Sequence, residues 1–563
     1  MTLRPPRREA PSDVLRDDLL AAAIITILLI PQSLAYALLA GLPPQVGLYA
    51  SFLPLIAYAL LGTSQVMAVG PAAVPSLMTA QMLGAVLPQF PGVAPEAAAL
   101  VLAAEVGLLL AAAALLRLDA LTALLSMPVL QGFVAGACLS IVATQAPVLV
   151  GSSARGTSLP EVLQRWWQAE LPWQGWTAAF GLAALAALLL VRWRGRRWLG
   201  RWLPPVQAAL LTKMAPLAVV GLAIAASLAW EVAQHGVRTV GALPRIGLPL
   251  AWPLTDPALW RALLPSAGVL ALVTAVESLA VAESLGLKRG ERIVPRRELA
   301  GLAAANLAAA VSSGQPVAGG LSRSAVAFDA GTRTRWAGLY VALMMAVAAL
   351  VLAGPLAALP RAVLAAIIGL AAWSLIDWRP FRQAWHYDRG EFVVMAGVAA
   401  LTLLVNVEKA LVVGVAVSIA LLLKRTARPH VARIGRVPGT EHYRNVDRHQ
   451  VECTPGVLAL RIDESLLFTN ARQLPSEVVP QLQPDTRRVV LLMSPVNTID
   501  FSGLEALEAL DALLAERAIA LDLAEIKGPV QDRLQTLGWP QHFRGRIFLS
   551  LHQAMQAGPA AAD

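Results

Sequence analysis

Between residues 19 and 424 the chain is a succession of long apolar runs joined by short loops, and few folds can hold such a pattern. A helix needs about 20 apolar residues to cross a bilayer, and fewer where a half-helix is buried within protein. On that basis the chain divides into fourteen segments, at 19–40, 46–62, 70–87, 96–116, 120–150, 176–192, 206–230, 263–285, 299–311, 319–330, 336–354, 361–377, 391–406 and 408–424. The third, ninth and tenth are short or interrupted by Gly and Pro. Only 14% of the residues are charged and 57% are hydrophobic, whereas a soluble domain carries about 25% charged residues. Apolar surface on this scale has to face lipid, so the chain reads as an α-helical polytopic membrane protein. A soluble enzyme, a collagen-like chain and a disordered chain are excluded.

The formal net charge of +9 would point to nucleic acid in a soluble protein. Here Arg and Lys sit in short clusters between apolar runs, as in the cytoplasmic loops of membrane proteins, so no nucleic-acid partner is expected. With the N-terminus placed in the cytoplasm, the flanks and loops on its side hold 23 Arg and Lys, and the opposite loops hold 7. That asymmetry predicts an even number of crossings with both ends cytoplasmic, in an inner or plasma membrane. Arg4, Arg7 and Arg8 ahead of the first run, with Ala35-Tyr36-Ala37 near its end, imitate a secretory signal. The many spans that follow argue instead for an uncleaved first helix. Cys138 and Cys453 are too few and too far apart for a disulfide framework or a zinc site, and the His residues are scattered. No metal and no cofactor is expected.

From about residue 440 the texture changes. Val457–Ile462 and Arg488–Leu492 read as short strands. In 500–517, Leu504, Leu507, Leu510 and Leu514 recur at helical spacing with Glu and Asp on the other face. Residues 518–526 alternate again, and 529–537 reads as a short helix. This is a small soluble α/β domain on the cytoplasmic side of the last span. The expected divisions are a cytoplasmic segment at 1–18, a transmembrane domain at 19–430 with halves at about 19–230 and 263–424, a compact domain at 440–556 and a tail at 557–563.

Charged groups inside apolar spans cost at least about 2.5–3.5 kcal/mol each, which makes them functional candidates. They are Glu105, Lys213, Glu277, Glu283, Arg323 and Asp329. Lys213, Glu283 and Asp329 lie near span ends, and Glu105 could face a polar crevice or a structural partner. Glu277 and Arg323 lie deeper, in segments eight and ten. The short segments add a second signal. Gln65-Val66-Met67-Ala68-Val69-Gly70 opens the third and Gln315-Pro316-Val317-Ala318-Gly319-Gly320 opens the tenth, both reading Q-x-x-A-x-G, 250 residues apart. Corresponding places in two seven-segment halves are the mark of an inverted-repeat transporter. Facing half-helix N-termini would put free N–H groups and positive dipole ends at the membrane midplane, a site for an anion. Ser322 and Arg323 in the first turn of the second half-helix add a hydroxyl and a full positive charge. Apolar surroundings favour the neutral acid, so Glu277 could carry a proton alongside the anion. It could instead neutralise Arg323 as a fixed partner, or help to coordinate sodium.

At these residues the sequence resembles the SulP family of anion transporters, the prokaryotic relatives of solute carrier family twenty-six and of plant sulfate transporters. The matching stretches are IPQSLAYALLAGLPPQVGLYASF (30–52), VGPAAVPSL (69–77), ESLAVAESLG (277–286), GGLSRSAVAFDAGTRT (319–334) and GRVPGTEHYRNVDRH (435–449). The resemblance implies seven plus seven inverted transmembrane segments, a core domain moving against a gate domain, a C-terminal STAS domain and a homodimer. It places the substrate between segments three and ten, flanked by one and eight. Carried over motif by motif, that site comprises Gln32, Tyr36, Ala72, Ala73, Leu321, Ser322 and Arg323, with Glu277 at the position associated with proton or sodium coupling. Family substrates include sulfate, bicarbonate, chloride and dicarboxylates. VVLLMSPVNTIDFSGLEAL (489–507) resembles STAS domains, and in the related anti-sigma factor antagonists a serine two residues after an Asp is a phosphorylation site. Asp500-Phe501-Ser502-Gly503 keeps that spacing, but Leu492 replaces the Asp usual at the end of the preceding strand. Ser502, the candidate regulatory residue, is therefore expected to act as a helix N-cap.

The leading expectation is secondary active transport of a small inorganic anion, sulfate first, by elevator-like alternating access with Glu277 protonation. The alternatives are a bicarbonate or dicarboxylate symporter, an uncoupled exchanger or channel, and a membrane-anchored STAS signalling protein. A membrane enzyme is least expected, since the spans hold no nucleophile–base pair.

Overall fold

The computed structural model describes residues 11–117, 126–152, 154, 156, 158–169, 173–204, 208, 211–212, 214–241, 250–254, 256–405, 407–427, 430–536 and 543–557. The chain forms two compact units, Met1–Ser418 and Ile419–Asp563.

The described part of each of the fourteen apolar segments is largely helical, the fourteenth continuing past Ser418 into the second unit. The second is split into Pro44–Tyr49 and Leu53–Leu61, and the third and tenth are the short helices Ala73–Val86 and Leu321–Asp329. Among the described residues seven helical stretches are long and apolar enough to cross a membrane by length and composition alone. Helix ends follow local chemistry. Proline opens Pro95–Leu115, Pro257–Arg289 and Pro295–Val311, where its missing N–H has no partner to lose. The Asp256 carboxylate accepts from Ala258 N to cap Pro257–Arg289. Ala35–Ala37 lies inside the first helix, Pro11–Leu39.

Two sub-bundles emerge from the packing. In one, Pro11–Leu39, Leu53–Leu61, Pro95–Leu115, Pro257–Arg289, Pro295–Val311 and Ala337–Ala357 lie against one another. In the other, Met127–Leu149 packs on Arg361–Leu375 and Arg389–Leu404, with Gly175–Leu190 beside them. The second bundle depends on close backbone approach. A Cβ on Gly132 would sit 2.3 Å from the Met395 carbonyl oxygen, and one on Gly136 would sit 2.6 Å from that of Ala399. Such small-residue contacts let helices pack without a hydrophobic driving force.

The two Q-x-x-A-x-G motifs lead into two short strands, β1 (Val69–Gly70) and β2 (Ala318–Gly319), which pair antiparallel as Val69↔Gly319 and Gly70↔Ala318. Val69 and Gly319 are themselves 250 residues apart. Each residue at this pair therefore meets its own counterpart in the other half, as a two-fold relation between the halves requires. The half-helices Ala73–Val86 and Leu321–Asp329 start just after these strands.

The second unit holds a six-stranded sheet in the order β4-β3-β5-β6-β7-β8, formed by β3 (Val431–Arg436), β4 (Tyr443–Asn445), β5 (Val457–Ile462), β6 (Arg488–Leu492), β7 (Ala520–Ala524) and β8 (Ile547–Phe548). The sheet therefore begins at Val431, ahead of the change in texture near 440. β5 to β8 are parallel, and β3 is antiparallel to β4 and β5. Leu504, Leu507, Leu510 and Leu514 of helix Phe501–Glu516 join Leu458, Leu460, Val489 and Leu491 in its core. The expected N-cap at Ser502 is corrected here. The cap is Asp500, whose Oδ1 accepts from Gly503 N at 2.9 Å while Oδ2 accepts from Phe468 N at 2.6 Å. Ser502 lies one residue inside the helix, too late to reach the first free N–H groups.

Within the sheet, Asp522 is 1% exposed and gathers two arginines. Arg546 Nη2 lies 3.1 Å from Oδ2, and Arg488 Nη1, itself buried, lies 3.5 Å from the same atom. Removing one partner of a buried pair leaves a charge uncompensated, at about 3–5 kcal/mol. Asp522→Ala should therefore make residues beyond 430 readily cleaved by protease in the full-length chain while the membrane helices stay protected. Unchanged cleavage kinetics would show that this cluster contributes nothing.

Candidate functional site

Arg323 is the centre of the first unit's polar interior. It lies in the first turn of Leu321–Asp329 and is 4% exposed. Its Nη2 donates to the carbonyl oxygens of Gly70 at 2.8 Å and Ala318 at 3.3 Å, one from each strand of the β1–β2 pair. Its Nη1 is buried and has no hydrogen-bond partner among the described residues. Glycines make room for the group: a Cβ on Gly70 would stand 2.5 Å from Nη1, and one on Gly320 3.0 Å from Nε. The arginine is thus pinned by one nitrogen and open at another.

Neither half-helix has a side-chain cap. Ala72 and Gly320 occupy the N-cap positions and offer no acceptor, so first-turn N–H groups stay available. Pro75 removes one of them in the first helix.

Small polar residues hold the crossing in place. Ser324 Oγ accepts from Ala68 N at 3.1 Å, tying the second half-helix to the residue that leads into β1. Gln315 Nε2 donates to Ser76 Oγ at 3.0 Å in the converse direction. Ser278 Oγ accepts from Gly319 N at 2.9 Å. Asn306 clamps the chain entering β2, accepting from Val317 N and donating to Val317 O, each at 3.0 Å. Sequence reading did not single out Ser278, Asn306 or Ser324 as site residues. Their one signal was polarity inside Ala-rich spans, which a packed helix interface also tolerates. Gln315 stood in the repeated motif without a role.

The structure brings several expected residues together. Tyr36, Glu277 and Arg323 act on one another electrostatically. No ion pair joins Glu277 to Arg323 among the described residues, and Glu277 Oε2 is buried without a hydrogen-bond partner. Gln32 lies one helical turn before Tyr36, and its Oε1 is also buried and unpartnered. Ala72 and Ala73 are buried at the head of the first half-helix. Leu321 is 45% exposed, and the side chain of Ser322 lies outside the described residues.

Of the remaining charges, Glu283 and Asp329 are exposed, and Lys213 lies outside the described residues. Glu105 is 2% exposed, and neither carboxyl oxygen has a hydrogen-bond partner. The partner or crevice expected for it is not found among the described residues.

A buried arginine with a free nitrogen, two uncapped helix N-termini and an unpartnered carboxyl thus lie in the interior of the first unit. Residues 15–398 match the Sulfate permease family and residues 448–554 match the STAS domain. The probable sulfate transporter of Mycobacterium tuberculosis strain CDC 1551 is 33% identical over 562 residues, covering 96% of this chain and 95% of that protein. The chloroplastic sulfate transporter 4.1 of Arabidopsis thaliana is 30% identical over 562 residues, covering 97% and 80%. Among solved structures, the murine solute carrier 26 family member A9 anion transporter in its inward-facing state overlays with a TM-score of 0.85 at 22% identity, covering 99% of this chain and 97% of that one. The transmembrane domain of a cyanobacterial bicarbonate transporter overlays with a TM-score of 0.59 at 19% identity, covering 72% and 97%. These likenesses establish the fold. The family match over most of the chain, together with the full-length sequence relatives, establishes that this chain belongs to the sulfate permease family of membrane transporters, with a C-terminal STAS domain.

Proposed function

We propose that the chain is a secondary active transporter of a small inorganic anion, with sulfate the first candidate, coupled to protons through Glu277. The observation that carries the proposal is the free Nη1 of buried Arg323 beside two uncapped helix N-termini. Each N-terminus is equivalent to roughly half a positive charge. With Arg323 they therefore offer about two positive charges, which matches a dianion. An ionised Glu277 cancels about one of them, so the match to sulfate is restored when Glu277 takes up a proton. One proton would thus accompany each anion. The names of the full-length relatives, both sulfate transporters, agree with this choice.

In the proposed site the anion sits between first-turn N–H groups after Ala72, Ala73, Leu321 and Ser322, with Arg323 Nη1 as its charged donor and Gln32 and Tyr36 at its side. The first sub-bundle carries this site and moves against the second in elevator fashion. All fourteen segments cross the inner or plasma membrane, so the N-terminus and STAS domain are cytoplasmic, and two chains form a homodimer. The close backbone contacts at Gly132 and Gly136 support the second sub-bundle as the rigid partner.

Proteoliposomes test the coupling. An acid exterior should accelerate sulfate uptake by the parent protein. Glu277→Gln should still bind sulfate, yet its uptake should ignore the pH gradient. Gradient-driven uptake in that variant would remove Glu277 from the coupling role. A response to sodium in place of protons would assign the site to a cation. Uptake driven only by counter-anions would indicate exchange, and no transport of sulfate, bicarbonate, fumarate or chloride would favour a signalling protein.

A further inference from the structure

The connection between Arg361–Leu375 and Arg389–Leu404 contains a helix of its own, Arg379–Tyr387. Asp377 Oδ1 accepts from Arg379 N at 2.9 Å to start it, and Asp388 caps the helix that follows. Helical spacing of three, four and seven places Arg379, Arg382, Gln383 and His386 along one face. Trp378, Phe381 and Trp385 form the adjacent face. The basic face walls one side of an open groove of about 1110 Å³, and Met127 and Met395, from the helices Met127–Leu149 and Arg389–Leu404, lie on its other sides.

Three observations identify what this groove fits. First, among the described residues the guanidinium groups of Arg379 and Arg382 have neither an ion pair nor a hydrogen bond. Glu391 is the one acidic side chain in the lining, and it already has an interaction of its own. Second, Trp378, Trp385 and Tyr387 are 51%, 49% and 89% exposed. Amphipathic rings concentrated at one level are characteristic of the membrane–water boundary. Arg389 lies over the Trp385 ring at 5.5 Å, and Phe392 meets that ring edge-on at 4.9 Å, so Trp385 is fixed rather than free to turn inward. Third, the groove joins a basic rim to an apolar floor, with charge and hydrocarbon in the order that a lipid presents them.

We propose that the groove binds an anionic phospholipid, its phosphate between Arg379 and Arg382 and its acyl chains along Met127 and Met395. Two guanidinium groups supply the donor geometry for a phosphate, and a short basic amphipathic helix lies in the plane of the interface. The assignment rests on the proposed topology only for the leaflet, which is the cytoplasmic one. There, anionic headgroups and the Arg cluster attract each other.

The test uses the full chain in nanodiscs of phosphatidylcholine with or without phosphatidylglycerol, with retained lipid counted by native mass spectrometry after transfer to detergent. The parent protein should retain phosphatidylglycerol in preference to phosphatidylcholine. The double variant Arg379→Gln, Arg382→Gln should lose that preference by about tenfold, and Arg379→Lys, Arg382→Lys should keep most of it. Equal retention by the parent and the Gln variant would overturn the proposal, as would displacement of the lipid by glycerol phosphate alone, which would mark a free-phosphate site. If the Gln variant fails to fold, loss of retention by the folded Lys variant at high salt supports the proposal in its place, and salt-insensitive retention contradicts it. Because no arm measures transport, the outcome is independent of the fate of Arg323 and Glu277.

Discussion

Arg323→Ala should reduce sulfate uptake at least about 30-fold while the protein remains folded and correctly inserted. A charged donor that meets its ligand in a desolvated site is worth about 2–5 kcal/mol, and each 1.4 kcal/mol is a factor of ten in affinity. Arg323 supplies the one full positive charge of the proposed site, and the helix ends supply only partial ones. Folding should survive because the substitution removes a buried cation that lacks an ionic partner, and unpaired buried charge is a burden on the folded state. The Gly70 and Ala318 carbonyls lose one donor each, a smaller effect. Arg323→Lys should recover only part of the uptake, since a single ammonium cannot both hold the two carbonyls and present a free planar nitrogen. Unimpaired uptake by Arg323→Ala would remove the arginine from the transport path.

The second large effect is expected at Glu298, which sequence reading passed over. Its carboxyl is fully buried near the start of Pro295–Val311 and receives four hydrogen bonds, one from Tyr58 within Leu53–Leu61 and three from the segment joining that helix to β1. Tyr58 Oη donates to Oε2 at 2.6 Å, while Thr63 N at 2.7 Å, Ser64 N at 2.8 Å and the Thr63 hydroxyl donate to Oε1. This carboxyl fixes the approach to the first half-helix on the helix that also carries the Asn306 clamp. Glu298→Ala strands these donors, at about 1–3 kcal/mol for each buried group left unsatisfied. Two or more such losses consume much of a typical folding free energy of about 5–15 kcal/mol. The folded yield in detergent should collapse. Glu298→Gln should be tolerated far better: its amide oxygen can take the three donors on one side, and its NH2 can donate to Tyr58 Oη. Equal loss in the two variants would show that the charge matters, and a harmless Glu298→Ala would show that the contacts are dispensable. Thermal unfolding of the purified variants separates these outcomes.

The difference between Arg323 and Glu298 shows what can be read from sequence. Arg323 and Glu277 stood out because a charge in an apolar span is expensive, and the half-helices stood out because Gly and Pro interrupt hydropathy locally. Glu298 follows Arg296 and Arg297 in a charged stretch of sequence, so nothing local distinguishes a fully buried carboxyl from a solvated one. Ser278, Ser324 and Asn306 were illegible for a related reason. Their hydrogen bonds reach across 41, 256 and 11 residues, and a small polar residue in an Ala-rich helix carries no mark of its distant partner. Asp500 and Ser502 present the subtler case. Both can cap a helix, and only the backbone direction at Asp500 decides that its side chain reaches Gly503. β3 was missed because Val431–Arg436 interleaves Arg and Gly with apolar residues directly after the last apolar run, hiding the alternation.

The central claim is that the transported anion lies between the two half-helix N-termini on Arg323. Selenate has the charge and shape of sulfate and scatters anomalously at the selenium edge, so crystals grown with it locate the anion directly. One anomalous peak per chain is expected within hydrogen-bond distance of Arg323 Nη1 and of the first-turn N–H groups of Ala73–Val86 and Leu321–Asp329, and it should disappear in Arg323→Ala. A selenate peak elsewhere in the membrane domain, with none at Arg323, would contradict this placement.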